Sequence, residues 1–148
     1  STRVRESLAA ADFALAERLL GRPFQISGRV LHGQKLARQF GTPTANVQLK
    51  RRRVPLTGVY LVSVDIDGKP WPGVANIGVR PTVQGDGNAH LEVHLLDFVG
   101  DIYGRRLTVA FHHKLRDEQR FASLEALKTA IHADVAAARA QWPGLPLK

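Results

Sequence analysis

The sequence predicts a small antiparallel β-barrel or curled sheet carrying one helix near its C-terminal end. From Phe24 onward about five or six short strand-like stretches follow one another, several of them alternating apolar and polar residues with a period of two. Gly-, Pro- and Asp-rich turn signals separate them, and the only extended helical period among and after them comes late in the chain. One late helix does not suit a βαβ nucleotide fold, which needs a helix between successive parallel strands. In a barrel the ligands sit at a rim where loops meet, and the polar clusters of this chain lie in loops or on one strand face.

Ser1–Leu20 reads as helical: Asp12 is a good N-cap, Phe13, Ala16, Leu19 and Leu20 recur on one face, and Gly21 and Pro23 stop the run. So few apolar side chains make no domain, so the segment either packs on the strands downstream of it or is the tail of something upstream. Phe24, Ile26, Gly28 and Val30 then alternate as a strand. They lead into a loop with Gly33, Lys35, Arg38 and Gly41 and a turn at Pro43–Asn46. Gly58–Asp67 is rich in β-branched and aromatic residues and ends in the hairpin signal Asp67-Gly68. Trp71–Gly78 is the returning strand, where Pro70 and Pro72 suit an edge better than a sheet centre. His90–Leu96 alternates Leu91, Val93 and Leu95 against His90, Glu92 and His94, and Arg106–His113 alternates again. The closing helix has Ser123 as its cap, Glu125 in its first turn, a stripe of Leu124, Leu127, Ile131, Val135 and Ala138, and Pro143 as its stop.

At 148 residues and 44% hydrophobic composition, the chain can bury a core without staples. The absence of cysteine excludes a disulfide framework, a thiolate zinc site and a cysteine nucleophile. No apolar run approaches a membrane span, so no membrane role and a cytoplasmic setting are the expectation. A formal net charge of +8 attracts anions of any size, nucleotides and nucleic acids alike. Lys50–Arg53 is the one basic run, which reads as a solvated loop. No zinc-finger spacing, heptad or repeat argues for a nucleic-acid module, and an aromatic content of 7% gives little stacking platform.

Several residues carry candidate chemistry. Gly33, Lys35, Arg38 and Gly41 make a flexible positive turn able to close over a polyanion, but G-x-x-x-x-G-K-[ST] is absent and this is not a P-loop. Thr44 and Asn46 offer a hydroxyl and an amide two residues apart, enough for a magnesium ion that takes most of its ligands from phosphate and water. They also suit simple turn stabilisation. Glu92, mid-strand, can accept a proton from a hydroxyl if its face lines a cleft, and otherwise faces solvent. His90, Glu92 and His94 share that face and form an alternative metal set. Asn76, Gly78 and Arg80 combine an amide, a close-approach glycine and a guanidinium. Arg116 reads either as part of a surface cluster with Asp117 and Glu118 or as a ligand contact, and Tyr103 and Phe121 suit stacking or core packing. By itself this supports an anion-binding small β domain.

The whole pattern is more specific than its parts. GRVLHG at Gly28–Gly33, GTPTAN at Gly41–Asn46, GVY at Gly58–Tyr60, GVANIGVRPT at Gly73–Thr82, LEVHLLDFVGDIYGRRL at Leu91–Leu107 and LRDEQRFASLEALKTAI at Leu115–Ile131 stand in one order. The sequence thereby resembles the riboflavin kinase module at the C-terminus of bacterial bifunctional riboflavin kinase/FMN adenylyltransferase, the FAD synthetase of prokaryotes. The resemblance implies a six-stranded antiparallel Greek-key barrel with a C-terminal helix, over residues 23–148. It also implies transfer of the γ-phosphoryl group of ATP to the ribityl 5′-hydroxyl of riboflavin, giving FMN and ADP with magnesium. Thr44 and Asn46 would hold magnesium and phosphate oxygens, and Glu92 would be the base. Gly33, Lys35, Arg38 and Gly41 would cover ATP, Asn76 and Arg80 would lie on the nucleotide side or order a loop, and Tyr103, Arg116 and Phe121 would border the flavin. A non-catalytic flavin- or nucleotide-binding regulatory barrel is the alternative.

Two positions depart from the family's habit. Ala37 replaces a glycine before the motif arginine and Thr42 replaces a bulky apolar residue before Pro43, so altered affinity or flap mobility is expected. Ser1–Arg5 resembles the end of an ISSTxxR-type motif of the adenylyltransferase module, with Arg5 its arginine. Residues 1–22 are accordingly expected to be a helical linker or remnant of that module, whose HxGH motif the sequence lacks. The chain is expected to make FMN and not FAD.

Overall fold

The computed structural model describes residues 2–31, 44–49, 56–80, 88–98 and 100–144. Two short helices, α1 (Thr2–Ala9) and α2 (Phe13–Leu20), precede six strands: β1 (Gln25–Leu31), β2 (Thr44–Val47), β3 (Gly58–Ile66), β4 (Lys69–Arg80), β5 (Asn88–Leu95) and β6 (Arg106–Arg116). Helix α3 (Leu124–Gln141) and a single 3₁₀ turn at Trp142–Gly144 complete the order. The strands close into a barrel in the order β1-β2-β5-β4-β3-β6, every pair antiparallel. β3, β4 and β5 are consecutive neighbours and β6 returns beside β3, which is the Greek-key arrangement.

Alternation places one set of side chains inside. Val30, Ala45, Val47, Tyr60, Val62, Val64, Ala75, Ile77, Leu91, Val93, Leu95, Leu107, Val109 and Phe111 form the interior cluster. The opposite face of β3 and β4 is also apolar at Val59, Leu61 and Val74, because α3 covers it with Val135 and Ala138. Gly28 lets β2 approach β1: a Cβ there would run into the Gln48 carbonyl and Val47. The Asp67-Gly68 turn has φ of 56° and 83°, the left-handed pair that a two-residue hairpin requires.

The structure refines several expectations. The N-terminal segment is two helices, broken where Ala11 takes φ 58°; Asp12 does cap α2, accepting from the Leu15 amide at 3.0 Å, and Gly21 ends it in the left-handed region. Leu8, Phe13 and Ala16 join the barrel core, Phe13 lying 5.7 Å from Tyr60 and 6.2 Å from Phe111 between ring centroids. Thr44 and Asn46 lie on strand β2, between β1 and β5, and not in a turn. Pro70 and Pro72 belong to a 12-residue β4, in the stretch that pairs with β3 before pairing with β5 begins at Gly73. Ladder bonding on the β5 side is thus not required of their missing N–H groups. Leu124, the first residue of α3, is 56% exposed and not part of the buried stripe.

Candidate active site on the outer face of β2, β5 and β4

Glu92 is central in β5, paired with Asn46 of β2 on one flank and Asn76 of β4 on the other. Their neighbours Ala45, Val47, Leu91, Val93, Ala75 and Ile77 point into the barrel, so Asn46, Glu92 and Asn76 point out of it. One rung therefore presents an amide, a carboxylate and an amide. Leu31 of β1, 42% exposed, pairs with Asn46 and extends the rung, while Val59 pairs with Asn76 and disappears under α3.

The carboxylate is semi-sheltered, its side chain 18% exposed, with the His90 Nε2 3.5 Å from Oε2. His94, two residues on, is buried on the same face; burial pushes its imidazole below the usual value, opposed by the charges of Glu92 and Asp134. Asn76 Oδ1 is buried and has no hydrogen-bond partner among the described residues. Among those residues no group of three or more His, Cys, Asp or Glu side chains could hold a metal ion, so the His90/Glu92/His94 metal set is not built.

Helix α3 is fixed beside this face by a bidentate ion pair. Arg116 Nε donates to Asp134 Oδ1 at 2.8 Å and Nη2 to Oδ2 at 2.9 Å, while the guanidinium stands 5.5 Å from the centre of the Phe121 ring. Arg116 is thus engaged by a buried helix carboxylate that motif and spacing do not single out. A signal for it is nonetheless present: Asp134 shares a helix face with Ile131 and Ala138, and a carboxylate on a buried stripe needs a cation. Glu118 lies across Gly78, where any Cβ would meet its carboxylate, and Gly78 pairs with His90.

The remaining expected residues are spread over the barrel. Thr44 sits on β2 paired with His94, and Arg80 ends β4 paired with Asn88. Tyr103, in the β5–β6 connection, packs against the interior cluster, its amide donating to Asp101 Oδ1 at 3.0 Å. Gly33, Lys35, Arg38 and Gly41, together with Ala37, Thr42 and the Lys50–Arg53 run, lie outside the described residues.

The family model described as "Flavokinase: Riboflavin kinase" matches residues 20–142, the whole barrel with α3. The chain belongs to the riboflavin kinase family. The bifunctional riboflavin kinase/FMN adenylyltransferase of Pseudomonas fluorescens is 87% identical over 140 residues, covering 95% of this chain and 45% of that protein. The chain thus spans about half the length of that curated relative of the riboflavin kinase family. A riboflavin kinase structure from Trypanosoma brucei superposes with a TM-score of 0.54 at 25% identity, covering 85% of this chain and 92% of that one. A Streptococcus pneumoniae structure described as a macrolide-efflux protein superposes with a TM-score of 0.83 at 36% identity, over 94% of this chain and 46% of that one. Among the described residues no helix is long and apolar enough to cross a membrane.

Proposed function

We propose that this chain transfers the γ-phosphoryl group of ATP to the ribityl 5′-hydroxyl of riboflavin, as the kinase part of a longer bifunctional protein. The observation that carries the reading is Glu92, held mid-strand between two paired strands with its carboxylate outside the barrel and flanked by two amides. Phosphoryl transfer asks for an aligned hydroxyl and neutralised phosphate charge more than for covalent apparatus. The hydroxyl oxygen forms a bond to the γ-phosphorus as the bond to the β-phosphate bridging oxygen breaks, ADP leaves, and the hydroxyl proton passes to the Glu92 carboxylate. Strand β5 has neighbours on both sides, so the carboxylate's backbone is fixed before substrate arrives.

Magnesium, when bound with ATP, supplies charge neutralisation on the phosphates. Thr44 and Asn46 would hold it. Asn46 fits, because an outward amide oxygen one rung position from a single carboxylate suits a hard cation that keeps most of its phosphate and water ligands. Gly33, Lys35, Arg38 and Gly41 would cover the nucleotide, Arg80 would contact it, and Phe121 and Tyr103 would border the flavin. Arg116 serves this reading through its grip on α3 and its contact with the Phe121 ring.

Chromatographic conversion of riboflavin to FMN, with ATP and magnesium, tests the proposal. Metal-dependent FMN formation is expected, with Glu92→Gln lowering kcat by roughly 100-fold and leaving the riboflavin KM within about twofold. A folded protein that makes no FMN with any divalent ion would favour the regulatory binding module, and near-normal turnover by Glu92→Gln would remove the base.

A further inference from the structure

Asn76 Oδ1 is the one buried side-chain oxygen or nitrogen among the described residues that lacks a hydrogen-bond partner. Such an atom is costly to leave unmade, and native folds retain one where something else completes it. Its position says what that is. Asn76 stands directly opposite Glu92 on the adjacent antiparallel strand, where facing Cβ atoms are about 4.5–5.5 Å apart. Phosphate oxygens cannot complete it, since they accept and do not donate, and the neighbouring carboxylate repels them. The missing partner must bring an O–H or N–H. Magnesium would be held on the opposite flank of Glu92, where Asn46 stands.

We infer that the Asn76 carboxamide oxygen is the acceptor that receives a hydroxyl of the ribityl chain, fixing the polyol beside Glu92 and making Asn76 a specificity-determining residue for the flavin and not for the nucleotide. This rests on the riboflavin kinase reading and deepens it. A dry acceptor beside the base discriminates sharply between a substrate carrying a hydroxyl at that point and one lacking it, because only the former satisfies the oxygen. It also separates two functions on one rung: Asn46 on the side of cation and phosphates, Asn76 on the side of the alcohol.

The test compares wild type with Asn76→Leu in steady-state kinetics, flavin-fluorescence titration and thermal unfolding. The probes are riboflavin and lumiflavin, an isoalloxazine without the ribityl chain. In Asn76→Leu, riboflavin KM and Kd are expected to rise about tenfold, the worth of one well-placed hydrogen bond. Lumiflavin Kd, ATP KM and magnesium dependence should stay within about twofold. Tm should hold or rise, because no bond of the free protein is lost. An unchanged riboflavin KM and Kd, an equal loss of lumiflavin binding, or a shift in ATP or magnesium dependence would overturn the inference. Asn76→Ala, which adds no bulk, guards against simple overpacking. Loss of the fold in both variants would assign Asn76 a structural bond and also overturn it. Wild-type protein that made no FMN would remove the functional reading itself, a result distinct from an active wild type with an indifferent Asn76.

Discussion

His94 illustrates how a single side chain ties the chemistry to the stability of the molecule. It is buried on the Glu92 face, and burial holds its imidazole below the ordinary value of 6.5 even though Glu92 and Asp134 pull the other way. The folded protein therefore binds that proton less readily than the unfolded chain does. The stability that comes from keeping His94 neutral is complete above about pH 6.5 and is lost as pH falls through the folded value. Denaturant titrations of wild type and His94→Gln between pH 7.5 and about 5 should show the wild type losing stability more steeply toward acid. Parallel pH profiles would mean that His94 titrates alike in both states. His112, half-buried and bonded to Ser63 at 2.8 Å, is also held below its ordinary value by partial burial and then by His113, so the difference between the two proteins isolates His94. Glu92 is legible in sequence as one residue of an alternating strand. Its two amide neighbours are not legible as neighbours, since Asn46 and Asn76 reach it only through strand pairings that no local pattern specifies.

Among elements, α3 shows what sequence periodicity can and cannot give. The Ser123 cap is there, accepting from the Ala126 amide at 3.1 Å, and Ile131 and Ala138 are buried as the stripe requires. The docking of the helix, however, depends on Arg116 and Asp134, 18 residues apart and on different elements. Asp134 retains 8% side-chain exposure against 25% for Arg116, so removing the cation strands a buried charge. Arg116→Ala should cost about 3 kcal/mol, and more than Asp134→Ala, which leaves only a half-sheltered guanidinium. Urea denaturation of the two variants and their double mutant measures this, and equal losses would assign the pair a surface-like worth. Strands β1, β5 and β6 are readable because their period of two spans six or more residues, and β3 because it is dense in β-branched and aromatic residues and buried on both faces. β2 is not, because Thr44–Val47 is four residues long and comes directly after a proline; it is a strand by virtue of its partners.

At the scale of the whole molecule, the barrel and the helices before it share one core. Phe13 is 8% exposed and touches rings contributed by β3 and β6, so the end of the barrel beneath α2 is finished by residues that precede the first strand. Phe13→Ala should cost about 3 kcal/mol or more and lower Tm by roughly 10 °C. A loss within about 2 °C would support a residue 1–22 segment that is only an appendage, the division the sequence suggests. The Greek-key order itself follows only from the family resemblance. Composition and period imply about five or six strands and one late helix, a number that many strand orders satisfy.

The closure of that barrel has a consequence for how the protein is made. Ser27 of β1 and Thr108 of β6 are neighbours, their hydroxyls 3.0 Å apart, yet 81 residues separate them. At bacterial-like elongation rates of about 5–20 residues per second, β1 waits on the ribosome for roughly 4–16 s before its partner exists. During that interval the strand offers an unpaired backbone edge and the interior residue Val30 to its surroundings, although the described strands of the finished protein close into a barrel without an edge. The topology that protects the mature fold from strand-to-strand aggregation therefore makes the nascent chain its most vulnerable form.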